Sequence, residues 1–458
     1  MLSRSFRASK TFTTFVVSVA VFTDILLQNL VVPVLPYALH TRVGLEDEAD
    51  IQKWTSILLA AFGASLMVGC GDKLPSRRTP FVLGLVLVFL STLLFALASD
   101  LWALLTARIL EGFSTAIVHT VGYTLLNEVV GVEHLGKATG YTSMALSFGL
   151  LLGPVLGGVL YEYCGYFQVF LPAFGLIAME IILRMMVIEK EKKPIPPTSQ
   201  SSSSTEATQK DPLVHEIPSD PASHPRELES LLQPPATTQS ASAYKALLTS
   251  PRFVMTLAAL LILNSIANGF DSTLVPYIQE AFHMPATQAA ALFLALAAPM
   301  LLAPISGWLT DRYGARLPIL SGLTLAIPSQ ILLSLVSKGA TMPFLKLAVL
   351  LAIMGLTFAL AMAPLQVEAN FVVHQMEKET PGGFGSHGIL ARAIGLMTTV
   401  ISAGGFAGPL YAGFVRVSAG WKALELLNAG LCAGILAFLL LSTGGFKRKD
   451  TQDVETAA

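Results

Sequence analysis

The run GLLLGPVLGG, residues Gly149–Gly158, carries no charge and places Gly149, Gly153, Gly157 and Gly158 at helical spacing around Pro154. Small residues at that spacing give a helix a smooth face, against which a second backbone lies closely, as helices do inside membranes. Pro154 removes a backbone donor and permits a bend. The same pattern returns as GGFAGPLYAG, Gly404–Gly413. A recurring helix motif of this kind points to a chain built from two repeated halves.

Composition agrees with a membrane setting. The 458 residues are 53% hydrophobic and 13% charged, with a mean hydropathy of +0.64. Soluble domains carry roughly 25% charged residues. Twelve stretches reach the length of about 20 apolar residues that a bilayer core requires. They lie at 13–39, 54–72, 79–99, 101–129, 138–161, 166–188, 252–281, 286–310, 315–337, 342–371, 388–415 and 420–443. The runs are continuous and rich in Leu, Ala and Gly, which argues against the alternation of membrane strands. The predicted class is an all-α membrane protein of twelve helices in two six-helix halves. The N-terminal stretch continues past any signal-peptide length and contains Asp24, so it reads as a retained first helix.

Charges order the loops. Arg4, Arg7 and Lys10 precede the first helix, Lys73, Arg77 and Arg78 follow the second, Arg312 and Arg316 follow the eighth, and Lys447, Arg448 and Lys449 follow the last. These fall on one side, opposite the acidic segment Gly44–Asp50, and the positive-inside rule makes that side cytoplasmic. Residues 189–250, with PIPPTSQSSSSTEATQ near their start, cannot bury a core and read as a disordered cytoplasmic linker. The expected organisation is 1–188 for the first half, 189–250 for the linker, 251–445 for the second half and 446–458 for a cytoplasmic tail. A net charge of −1 gives no reason to expect nucleic acid, and Cys70, Cys164 and Cys432 show no metal or redox spacing, so neither metal nor cofactor is expected.

The halves share a second motif. GCGDKLPSRR (Gly69–Arg78) and GWLTDRYGAR (Gly307–Arg316) each put an Asp and cations into a short loop. Asp72 with Arg77 and Arg78, and Asp311 with Arg312 and Arg316, are expected to pair across helix ends and hold the cytoplasmic side shut, a bistable contact. Gly153, Pro154, Gly157 and Gly158 are expected to act as a pliable gate; ordinary close packing is the plainer reading.

GWLTDRYGAR resembles the loop signature of the major facilitator superfamily. ARILEGFS (Ala107–Ser114) resembles its fourth-helix motif, with Glu111 in place of the usual Gln, and GLLLGPVLGG resembles the fifth-helix motif of its twelve-helix drug:proton antiporters. FTDILLQNLVVPVLP (Phe22–Pro36) is similar to the first helix of vesicular amine transporters, and PLQVEANFVV with the PGGFG loop is similar to fungal members of that group. The resemblance covers both halves. It departs at the eleventh helix, where ARAIGLMTTV has Arg392 and no carboxylate, and at the second helix, where Lys53 stands only at the mouth. An amine substrate is therefore not implied.

A charge at the bilayer centre costs about 2.5–3.5 kcal/mol on insertion scales, so those present usually mark a pathway. Asp24, Arg108, Glu111, Asp271, Glu368 and Arg392 are such residues, with Gln28 one turn from Asp24. Asp24 is expected to exchange a proton; a plain helix-to-helix hydrogen bond is the alternative. Arg108 is expected to pair with Asp271, and Glu368 with Arg392. Glu180 and Arg184 have the i, i+4 spacing of a local pair. His119 reads as a packing residue, and Phe113, Tyr123, Phe270 and Tyr277 as cavity lining or plain packing. The expected function, which the resemblance implies, is proton-coupled antiport exporting a small drug-like or secondary-metabolite molecule. The alternative is proton symport importing a small organic solute; no nucleophile, nucleotide loop or metal motif suggests an enzyme. A monomer in the plasma membrane is expected, with a vacuolar or other vesicle membrane as the alternative.

Overall fold

The computed structural model describes residues 9–69, 78–130, 132–186, 244–337, 341–379 and 388–442. The expected linker lies outside them apart from 244–250, as do Asp72, Arg77 and the side chain of Arg78.

The first half comprises α1 (Lys10–Val31), α2 (Glu48–Gly69), α3 (Arg78–Leu97), α4 (Leu101–Val130), α5 (Val132–Cys164) and α6 (Phe170–Met186). The second comprises α7 (Pro251–Phe282), α8 (Ala286–Tyr313, with a 3-10 segment at Ala298–Leu302), α9 (Arg316–Ser334) and α10 (Pro343–Glu379). A last continuous helix, Gly388–Ser442, breaks at Gly420 into α11 (388–419) and α12 (421–442). The described residues contain no strand.

Ten helical segments meet the length and hydropathy of a membrane span. One of them, Arg392–Leu440, contains the Gly420 break, and the described apolar part of α3, Leu83–Leu97, is shorter. This pattern is consistent with the twelve expected spans. Large apolar side chains such as Leu171, Ile182, Leu335 and Phe438 point outward, as a hydrocarbon surround permits.

The halves begin alike. The Ser9 hydroxyl caps α1 by accepting from the Phe12 amide at 3.1 Å, and Ser250 caps α7 by accepting from Phe253 at 3.5 Å. Each cap satisfies one amide that the first helical turn leaves unpaired. Pro33 and Pro36 coincide with a break in α1: turn residues 32–34 are followed by the short Leu35–Ala38 helix and a π-helical turn at Leu39–Val43.

The repeated glycine motifs do the same work in each half. A Cβ on Gly153 would stand 2.7 Å from Asn29 Cβ of α1, and one on Gly404 would stand 2.7 Å from Asn264 Cβ of α7. Gly157 rests on the Leu30 carbonyl, and Gly408 on the Ser265 carbonyl. Pro154 precedes Gly165 by eleven residues, as Pro409 precedes Gly420. Both of those glycines take a positive φ, 91° and 83°, so each half turns from its fifth helix to its sixth through a conformation that L side chains rarely adopt.

Candidate functional site

The two halves meet along α2 with α11 and α5 with α8. Gly63 lies directly against Gly405, and Gly158 against Ala286 and Ala290. Beyond these contacts, toward the Gly44–Asp50 loop, the halves are hydrogen-bonded. The Gln52 carboxamide of α2 accepts from Arg416 of α11 and donates to the Ser272 carbonyl of α7 at 3.0 Å. Arg416 also donates to Glu280 at 2.7 Å. The Tyr37 hydroxyl donates to the Met284 carbonyl at 2.8 Å, and the Thr287 amide donates to Glu162 at 2.8 Å. These hydrogen bonds between the halves all lie at the acidic-loop end.

Between the halves lies a cavity of about 320 Å³. Its walls are mostly apolar and include Phe62, Phe293 and Phe358. Its polar groups are Gln28 and Asn29 of α1, Arg108 of α4, Asn264, Asn268 and Asp271 of α7, and Ser402 of α11. Pro154 and Pro409 are also in the wall, and Met300 reaches it from the 3-10 segment of α8.

Two asparagines express the repeat chemically. Asn29 donates its amide hydrogens to the Ile25 carbonyl at 2.8 Å, and Asn268 donates to the Asn264 carbonyl at 2.8 Å. Each thereby spends donor capacity on its own helix and keeps its carbonyl oxygen for another partner.

The charged residues take partners that differ from those expected. Arg108 is fully buried and bonds Glu111 at 2.9 Å, three residues along α4, with its guanidinium over the Phe95 ring. The Arg108–Asp271 pair is thus not formed, although both residues line the cavity: a partner one turn away on the same helix meets the charge without spanning it. Glu368 pairs with Arg252 of α7, whose Nε donates at 2.6 Å, and not with Arg392. That pair sits in a separate cavity of about 130 Å³ with Arg316 in its wall. Glu180 accepts no hydrogen bond from Arg184; both of its carboxylate oxygens are buried without a hydrogen-bond partner. Arg312 lies over the Trp308 and Tyr313 rings, and Asp311 forms no ion pair among the described residues.

Asp24 is buried but does not line the cavity. It faces α4, with Oδ2 3.4 Å from His119 Nε2. Among the aromatic residues singled out in the sequence, Phe113, Phe270 and Tyr277 are absent from the wall, and the side chain of Tyr123 lies outside the described residues. Tyr277 stacks on Trp421 at 4.1 Å.

The sequence model of the Major Facilitator Superfamily matches residues 17–380. The chain belongs to this superfamily. It is accordingly a multi-pass integral membrane protein and a secondary transporter, not an enzyme. The MFS-type transporter ppzB of Metarhizium majus is 30% identical over 457 residues, covering 92% of this chain and 98% of that relative. The synaptic vesicular amine transporter of Rattus norvegicus is 31% identical over 136 residues, 30% of this chain and 26% of its own. Among solved structures, a bacterial homolog of the human lysosomal transporter Spinster, inward-facing and occupied, aligns with a TM-score of 0.63 and 15% identity, over 95% of this chain and 97% of that one.

In this superfamily member the two cavity asparagines of α7 overlooked in the sequence had a signal. Asn264 and Asn268 stand with the expected Asp271 at i, i+4 and i+7, one polar face on an otherwise apolar helix. Gln52 and Arg416 had none: their meeting joins α2 to α11 across most of the chain. Glu425, buried in α12, was also outside the expected set.

Proposed function

We propose that this transporter is a proton-coupled antiporter that exports a small, drug-like or secondary-metabolite molecule by alternating access. The observation that carries the reading is the cavity itself. It lies between the two halves, has an apolar wall suited to an amphiphile, and presents a few polar groups suited to orienting one.

In this mechanism the substrate occupies the cavity between Gln28 and Asn29 on one side and Asn264, Asn268 and Asp271 on the other. The glycine contacts Gly63–Gly405 and Gly158–Ala286 close the acidic-loop end, and the Arg416–Gln52 bond latches it. Breaking them and closing the opposite end exposes the cavity to the other side. There the loops bearing Asp72, Arg77 and Arg78, and Asp311, Arg312 and Arg316, form the second gate. Asp24 exchanges the proton, and Gln28, one turn along α1, carries its state to the cavity. Arg108, Glu111 and Glu368 belong to the same charge network. The termini and the 189–250 linker face the cytoplasm, in keeping with the loop cations, and the protein works as a monomer in the plasma membrane. An amine is not the proposed substrate: α11 lacks the carboxylate and α2 the buried lysine of the amine transporters that the chain resembles.

The test is flux in sealed vesicles containing the purified protein, with a panel of amphiphilic compounds and an imposed pH gradient. Antiport requires substrate to accumulate on the acidic side while protons leave it. Accumulation on the alkaline side would replace the reading by proton symport, and flux indifferent to the gradient would remove proton coupling.

A further inference from the structure

Helix α1 has two inward faces. Ile25, Gln28, Asn29 and Val32 line the cavity. The other face packs inside the first half. Ala20 joins Val118 and Val121 of α4, while Leu27 joins Val88 of α3 and Ala173 and Ile177 of α6. Asp24 falls between Ala20 and Leu27 on this second face, and Glu180 is one turn beyond Ile177. The packing thus brings an acid of α1 and an acid of α6 into one apolar interior. Ile181, the residue after Glu180, packs against both of these clusters.

All four carboxylate oxygens of Asp24 and Glu180 are shut away from solvent without a hydrogen bond. Asp24 is 3% exposed and Glu180 1%. Leaving a charged oxygen in apolar surroundings with no donor costs far more than leaving a neutral one. Two carboxylates enclosed in one apolar interior disfavour each other's ionised form, so a proton taken up by either relieves both. His119 Nε2, 3.4 Å from Asp24, is a second group able to carry that proton.

The charged groups facing this interior are few among the described residues. Helix α4 contributes Arg108, Glu111 and His119, and Arg108 is already bound to Glu111. Helix α6 contributes Glu180 and the buried Arg184. The described side chains of α3 contribute none, and α5 meets this part of α1 through Gly149 and Gly153.

We propose that Asp24 and Glu180, with His119 beside Asp24, form a proton-binding site enclosed within the first half, on the face of α1 next to the one that lines the substrate cavity. The proton is held in common and titrates as a property of the group. Its role in transport rests on the antiport reading; its existence does not. Substrate and proton then occupy different faces of one helix, and they influence each other through the position of α1 rather than by competing for one carboxylate.

The experiment is infrared difference spectroscopy of the purified full chain in nanodiscs without substrate, stepped between alkaline and acidic buffer. The readout is the carbonyl stretch of protonated carboxylic acids. The expected result is a carboxyl band that Asp24→Asn removes. Glu180→Gln should shift the titration midpoint of that band at least tenfold in proton concentration. His119→Gln should also move the midpoint, and Asp271→Asn should leave it in place. Should Glu180→Gln fail to fold, Glu180→Asp and His119→Gln carry the same expectation. A band that survives Asp24→Asn, or a midpoint that neither Glu180→Gln nor His119→Gln moves, would overturn the proposal. So would a band that responds to sodium at constant pH, which would make the bound ion a metal cation. Vesicle flux that ignores the pH gradient while this titration holds would remove antiport and leave the site standing.

Discussion

Adjacent glycines at the end of the fifth-helix motif should respond to the same substitution in different ways. A Cβ on Gly158 would lie 2.6 Å from the Ala286 carbonyl oxygen and 2.6 Å from Ala290 Cβ, both on the other half. Neither obstacle is the flexible end of a side chain. Carbon atoms sit best about 3.5–4.0 Å apart, so α5 and α8 must separate by about 1 Å. Overpacking of this kind costs about 1–3 kcal/mol. The contact exists only while the acidic-loop end is sealed, so the cost falls on that state alone. Gly158→Ala should shift the equilibrium toward the state open at that end by about 5- to 150-fold. Gly157, by contrast, rests on the Leu30 carbonyl within its own half. Gly157→Ala should lower thermal stability and leave the equilibrium alone. Gly175→Ala, where nothing lies within 4 Å, is the neutral control. The assay is electron–electron distance measurement between spin labels at Lys53 and Lys422, both exposed and on opposite halves, in a background lacking the native cysteines. The expected result is growth of a longer distance in Gly158→Ala only. An unchanged distance distribution in Gly158→Ala, or an equal shift in Gly157→Ala, would refute the argument.

Arg416→Met removes the latch and leaves the buried Gln52 carbonyl without its donor, at about 1–3 kcal/mol; the same label pair should again report opening at the acidic-loop end. Asn29→Leu and Asn268→Leu each delete one cavity acceptor and should weaken substrate binding about 2- to 13-fold, from a hydrogen bond of about 0.5–1.5 kcal/mol; radioligand or fluorescence binding checks this, and loss from one asparagine alone would break the proposed equivalence of the halves. Asp24→Asn should fold, reach the membrane and lose proton-driven flux, with Asp24→Glu retaining part of it; parental flux in Asp24→Asn would move the coupling site to Asp271, Glu111 or Glu368.

The sequence by itself determined the class of fold. Hydropathy runs of membrane length and the repeated glycine–proline motif are local patterns, and local patterns survive whatever the helices later pack against. The same holds for the intramembrane charges, which stand out in an apolar run whichever partner they later find. The partners were decided only by tertiary structure. Arg108 met Glu111, one turn along its own helix, and not Asp271, while Arg252 of α7, and not Arg392 of α11, met Glu368 because packing sets the rotation of each helix about its axis. For the same reason Asp24 turned toward His119 and Glu180 while Asn29, five residues later, turned into the cavity. At 100° per residue one helix serves two interiors, and nothing in its own sequence says which interior lies on which side. Gln52 and Arg416 are the extreme case: each is an ordinary polar residue near a helix end until the two halves close and bury one against the other.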